Sequence, residues 1–219
     1  MTVRVIAIDG PAGAGKSTVA RQVAERTGLP FLDTGAMYRC VALTVLRRGI
    51  DPADTESVER LAASLEIRVN EGTTLMDGEN VSSEIRTPRV NSVVSTIATN
   101  SGVRTVMRLA QRRWAEEVGG GVVEGRDIGT VVFPDAVLKI FLTASPVVRA
   151  RRRVAESGGD VEDVARSIAE RDRIDSTRAD SPLRPAEGAH LVDSSDRSVE
   201  QVVNDIVSLY RPGNGDGDG

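Results

Sequence analysis

The run Gly10-Pro11-Ala12-Gly13-Ala14-Gly15-Lys16-Ser17-Thr18 fits the template G-x-x-x-x-G-K-[ST]. It lies between the apolar stretch 3–8 and a stretch of helical periodicity, which is the strand–loop–helix context that the template requires. Such a loop turns its backbone N–H groups inward around phosphates. Glycine permits the close approach, and the N-terminus of the next helix adds a favourable field. Lys16 supplies a point charge for the distal phosphates, and the Ser17 hydroxyl suits the Mg2+ that accompanies a nucleoside triphosphate. The predicted chemistry is therefore triphosphate binding over residues 10–18, with Lys16 as a catalytic cation and Ser17 as the protein's metal ligand. Transfer of a phosphoryl group to a second phosphate needs little more than in-line positioning and charge neutralisation. Arg39, beyond Asp33-Thr34-Gly35, and Arg126, in Gly125-Arg126-Asp127, follow two further predicted strands and are placed to cradle an acceptor phosphate.

The elements that must hold these groups alternate strand and helix. Strands are predicted at 3–8, 31–32, 121–124, 137–142 and 191–192, and helices at 16–26, 36–48, 54–64, 146–156 and 199–210. The pattern reads as an α/β fold with a parallel sheet flanked by helices, of the P-loop NTPase type. In such sheets ligands bind beyond the carboxyl ends of the strands, where residues 10–17, 33–39, Arg126 and Asp127 fall. One region breaks the alternation. Between 66 and 83, Ile67 and Val69 alternate with Arg68 and Asn70, and Glu71-Gly72 and Asp77-Gly78 are turn signals. This predicts a small inserted antiparallel sheet, followed by helices at about 88–99 and 103–117.

Composition bounds the remaining choices. A chain of 219 residues can bury one substantial core, so a single domain over 1–210 is expected. Within it, 35–118 forms an acceptor lobe that includes the insertion, 149–170 forms a short lid, and 211–219 is a disordered tail. A net charge of −4 argues against nucleic-acid and membrane partners, and aromatic residues at 3% leave little for base stacking along a single strand. Only Lys16 and Lys139 are lysines. The remaining basic residues are arginines, which grip phosphate bidentately. Cys40 stands alone, so no intrachain disulfide forms, and no secretory or membrane-spanning pattern appears. A cytoplasmic location is the default expectation.

Several segments carry a family resemblance. They are Asp9-Gly10 through Ser17, Asp33-Thr34-Gly35-Ala36-Met37-Tyr38-Arg39, Ser83-Glu84-Ile85-Arg86, the run from Gly125-Arg126-Asp127-Ile128-Gly129-Thr130 to Ala136, Arg171-Asp172-Arg173-Ile174-Asp175 with Arg178, and Val192-Asp193. Together they resemble the bacterial cytidylate kinases, in the long form with a β insertion in the monophosphate lobe. The resemblance implies transfer of the γ-phosphoryl group of MgATP to CMP or dCMP, in a monomer whose partners are these small molecules. It implies that Arg39, Arg126 and Arg178 hold the acceptor phosphate and that Arg171 and Asp175 contact its phosphate and sugar. It also places Ser95 and Arg104 beside Asp127 at the base, and keeps the Thr34 hydroxyl near the acceptor. Arg126 and Asp127 join Lys16 as the catalytic set. A carboxylate at Asp127 accepts from the cytosine amine and repels the O4 that uracil presents there.

Other readings use the same residues differently. A kinase for UMP or AMP keeps the loop and the arginines but changes the base pocket. A regulatory GTPase needs an Asn-Lys-x-Asp segment, which is absent. A non-catalytic nucleotide module would lack Lys16 or the arginine cradle. Arginines in the run Arg149-Ala150-Arg151-Arg152-Arg153 either reach the transferring group or form a solvated helix face. Glu124 and Asp9 are candidates for the surroundings of magnesium, or ordinary carboxylates at strand ends. His190 is read as a packing or surface residue.

Overall fold

Along β1 (Arg4–Asp9), Val5 and Ala7 point to one side of a sheet and Ile6 and Ile8 to the other, and all four are buried. A strand covered on both faces loses the apolar-in, polar-out alternation and reads as a continuous apolar run. This computed structural model describes residues 3–70 and 72–210, so the proposed tail at 211–219 lies outside the described residues. The main sheet is five-stranded and parallel, in the order β2-β6-β1-β7-β8. Its other strands are β2 (Phe31–Asp33), β6 (Gly120–Gly125), β7 (Leu138–Thr143) and β8 (His190–Asp193). All the adjacent pairs are parallel.

Helices cover both faces. Ile6 and Ile8 pack with α1 (Lys16–Thr27) and α8 (Val199–Leu209). Val5 and Ala7 pack with α2 (Thr34–Arg48), α3 (Thr55–Ser64), α4 (Pro88–Thr99) and α5 (Ser101–Val118). Cys40 is buried in this second cluster, where it acts as a small apolar residue. Asp33 caps α2 by accepting from the Ala36 amide at 3.0 Å, so this helix starts two residues before its predicted position.

The predicted insertion is a separate antiparallel sheet of β3 (Ile67–Asn70), β4 (Thr73–Met76) and β5 (Glu79–Asn80). Val69 and Met76 turn into the α2–α5 cluster. Arg47, in the last turn of α2, clamps the insertion with bonds to both oxygens of Glu79 at 2.8 Å and to both oxygens of Glu84 at 2.5 and 3.1 Å. Glu84 opens a 3-10 turn, Glu84–Arg86, that leads into α4.

Two features lie outside the sequence-based element list. Residues 128–132 form a π-helical turn after β6. The segment 149–170 lies within α6 (Pro146–Ser157) and the long helix α7 (Val161–Thr177), joined through Gly158 and Gly159. Among the described residues no helix is long and apolar enough to cross a membrane.

Candidate active site

Parallel register aligns the ends of three strands. Asp33 pairs with Glu124 across β2 and β6, and Asp9 pairs with Gly125 across β1 and β6. The two predicted ligand segments therefore leave the same edge of the sheet as the phosphate loop. Gly10 makes the first bend at φ 153°, and a Cβ there would lie 2.0 Å from the Leu142 carbonyl oxygen, so no larger residue fits. Left-handed Gly15 precedes α1 without a side-chain cap, which leaves the first-turn amides of the helix free for a ligand. The Lys16 ammonium donates to the Pro11 carbonyl at 2.8 Å.

One cavity of about 420 Å³ joins this loop to the residues predicted to hold an acceptor. Ala12, Gly13, Gly15, Lys16, Ser17 and Thr18 line one end. Thr34, Arg39, Arg104, Arg126, Asp127, Arg171, Asp175 and Arg178 are on its other walls. Gly10, Pro11 and Ala14 are buried behind the wall, where they shape the loop. Ser95, predicted beside the base, also lies off the wall. Helix α4 presents Asn91, Val94 and Ala98 to the cavity, and Ser95 sits beside that stripe, half-buried.

The end of the cavity away from the loop is a chain of ion pairs. Arg104 donates to Asp127 at 2.5 Å, and its ring-facing side lies 5.7 Å from the Tyr38 centroid. Arg178 reaches Asp127 at 3.6 Å and Asp175 at 3.5 Å. Arg126 donates to the other oxygen of Asp175 at 3.0 Å. Arg39 donates to Asn91 and to the Ile85 carbonyl, the latter at 3.3 Å. Thr34 donates to the Glu124 carbonyl at 2.6 Å. Tyr38, Asn91 and Arg86 are among the wall residues outside the predicted set. Tyr38 and Arg86 sit inside segments that carried the resemblance, whereas Asn91 had no signal in type or spacing. Arg86 pairs with Asp33 at 3.0 Å.

Cations outnumber their partners, and several donors remain unused. Arg171 Nε and Arg178 Nη2 are buried without a hydrogen-bond partner. Burial, and then the Arg126 charge, lower Arg171 to about 9. Burial lowers Arg39 to about 10. Burial and then Arg126 also depress Lys16. Asp175 stays below its ordinary range because Arg126, Arg171 and Arg178 together outweigh its burial. A dianion entering here meets charge that is already concentrated and poorly solvated.

The two strand-end carboxylates separate in role. Asp9 accepts from the Ile128 and Gly129 amides at 2.9 and 2.8 Å, so it holds the π-helical turn that follows Asp127. Both oxygens of Glu124 are buried with no hydrogen-bond partner. Burial and the nearby Asp33 charge raise its pKa, while Lys16 and Ser17 pull the other way. Hard oxygen donors of this kind beside the Ser17 hydroxyl fit a magnesium ion, whose remaining ligands come from phosphates and water. Among the described residues no three histidine, cysteine or carboxylate side chains converge as a metal cage.

The arginine run of α6 divides likewise. Arg149 is buried on the phosphate loop, Arg152 donates to Ser194 at 2.6 and 2.9 Å, and Arg153 lines the cavity with Glu156.

Comparison with known proteins agrees across the whole length. The cytidylate kinase family model matches residues 6–212. The chain is 51% identical to the cytidylate kinase of Pelotomaculum thermopropionicum, covering 95% of this chain and 96% of that protein. It is 47% identical to the Mycobacterium leprae cytidylate kinase, covering 98% and 99%. A bifunctional pantoate ligase/cytidylate kinase of Prochlorococcus marinus matches at 46% identity, covering 94% of this chain and 43% of that protein. In fold, the chain is similar to an uncharacterized protein from Eubacterium ventriosum, with a TM-score of 0.53 and 12% identity over 94% and 96% of the two chains.

Proposed function

The chain belongs to the cytidylate kinase family, and from that premise we infer how its cavity carries the reaction. The enzyme transfers the γ-phosphoryl group of ATP to CMP or dCMP, giving ADP and CDP or dCDP. One observation supports the residue assignment most directly. A continuous cavity runs from Lys16 on the phosphate loop to the buried Arg104–Asp127 pair, walled by Arg39, Arg126, Arg171 and Arg178.

In this reading the donor triphosphate lies on residues 10–18, with Lys16 at its distal phosphates. Arg39, Arg126 and Arg178 hold the acceptor phosphate, with Arg171 beside it. Asp175 orients Arg126 and Arg178 and faces the sugar. Asp127 accepts from the cytosine amine, and Arg104 donates to the ring acceptors. Ser95 approaches the base from α4. No general base is required, because the acceptor phosphate is already an anion at neutral pH. Ser17 would hold magnesium, with the Glu124 carboxylate beside it. When bound, the ion neutralises charge on the donor phosphates. Residues 35–118 form the acceptor lobe and 149–170 the lid, and their closure excludes water from the transferring group.

The test is ADP formation from MgATP with CMP, dCMP, UMP, AMP and GMP offered separately. Turnover with CMP and dCMP far above the others supports the base contacts at Asp127 and Arg104. Equal turnover with UMP removes those contacts from the assignment.

A further inference from the structure

Asp172 has no part in the acceptor set, although it lies between two members of it on α7. One carboxylate oxygen accepts from the Ala12 amide at 3.1 Å, and the other pairs with Arg149. Arg149 in turn donates to the Ala12 carbonyl at 3.0 Å and to the Ala144 carbonyl at 3.1 Å. Both main-chain polar groups of Ala12 are therefore held by one ion pair. At the next residue of the loop, a Cβ on Gly13 would sit 3.0 Å from the Arg149 carbonyl oxygen, so loop and α6 are already in close contact.

Helix geometry gives this contact its consequence. Arg171 and Asp175 are one turn apart on α7 and face the acceptor cavity, while Asp172 is turned about 100° from Arg171 and about 60° from Asp175, toward the donor loop. A single turn of one helix thus holds the phosphate loop on one side and the acceptor wall on the other. We propose that Asp172 is a positioning residue that couples the two substrate sites. Ordering of α7 by CMP tightens the hold on Ala12, and ordering of the loop by the donor fixes Arg171 and Asp175. By linkage, each nucleotide then raises the affinity for the other by the same factor.

The proposal rests on the acceptor reading of Arg171 and Asp175, which wild-type turnover with CMP tests separately. In Asp172→Asn the side chain keeps its size, but its amide group meets the Ala12 N–H or the Arg149 guanidinium, donor against donor. CMP binding is measured by calorimetry with and without a non-hydrolysable ATP analogue and magnesium. Wild-type protein is expected to bind CMP at least about fivefold tighter in the presence of the analogue. In D172N that ratio falls to near one, while CMP affinity without the analogue is unchanged. A wild-type ratio of one, or a wild-type ratio preserved in D172N, overturns the proposal. Loss of thermal stability alone would leave the ratio intact. A measurement on wild-type protein covers the case of a variant that does not fold. CMP alone should slow hydrogen exchange of the Ala12 amide at least about fivefold, and unchanged exchange in an active enzyme overturns the coupling.

Discussion

Arg104 and Asp127, 23 positions apart in sequence, meet at 2.5 Å with both side chains buried. Arg104 leaves α5 near its start, and Asp127 follows β6, so the pair ties the helical face of the core to the sheet edge. Its counter-ions are shared, because Arg178 also approaches Asp127.

Asp127→Ala removes the carboxylate that faces both arginines. Catalytic efficiency with CMP should fall at least about a hundredfold, while the Kd for ATP moves less than about threefold. The variant should also lose about 3–5 kcal/mol of stability, because breaking a buried pair leaves its partner uncompensated. Steady-state kinetics, donor titration and denaturant unfolding of the same preparation separate these effects. Unaltered use of CMP would remove the base contact.

Lys16→Ala should reduce turnover by about 10²- to 10³-fold or more, the scale for losing one charge donor at a developing anion. The fold should survive, because the hydrogen bond that the Lys16 ammonium makes is to the neighbouring Pro11 carbonyl within its own loop. Circular dichroism checks the fold and ADP release checks the activity. Near-normal turnover would remove Lys16 from the mechanism.

Asp9 gives a pH signature. Burial raises its pKa from 3.8 to about 6, against the opposing pull of the Gly129 and Ile128 amides. A folded-state pKa above the unfolded one means that the proton is held more tightly in the folded chain. The associated stability is present below about pH 3.8 and is lost as pH rises through about 6. The stability advantage of the wild type over Asp9→Asn should therefore shrink between pH 3.5 and pH 7, by about 3 kcal/mol. Urea titrations of both proteins at the two pH values give this double difference. A constant difference would show that Asp9 ionises alike in the folded and unfolded chains.

Cys40 is fully buried, and burial pushes its thiol up to about 12. At pH 8 it should resist a thiol reagent such as dithionitrobenzoate in the folded protein, and react within seconds to minutes once the chain is unfolded in guanidinium. Rapid labelling of the native enzyme would place Cys40 at an accessible surface.

Most of the frame was legible from residue order. Val5 to Ile8, Gly28 and Gly49 bound their elements where the apolar pattern and the breakers put them, since burial on two faces and left-handed helix ends leave clear marks. Helix α7 left no such mark. Among its described side chains only Ile168 and Asp175 are buried, so apolar periodicity is nearly absent, and its polar residues are defined by partners distant in sequence. Asn91 was silent for the same reason. Its value lies in facing Arg39 across 52 positions, which spacing along the chain does not express. Ser95 stands one step around α4 from the wall residue Val94, a difference of direction that spacing along the chain does not express.

Asp175 serves Arg126 with one oxygen and Arg178 with the other. A lineage of such enzymes should therefore be freer to change either arginine than to change Asp175. Loss of one arginine leaves Asp175 the other, whereas loss of the carboxylate leaves two inward guanidinium groups without the anion between them. Inheritance at this corner would then turn on one codon, whereas an exposed pair such as Arg60 and Glu56 can be rewritten one residue at a time.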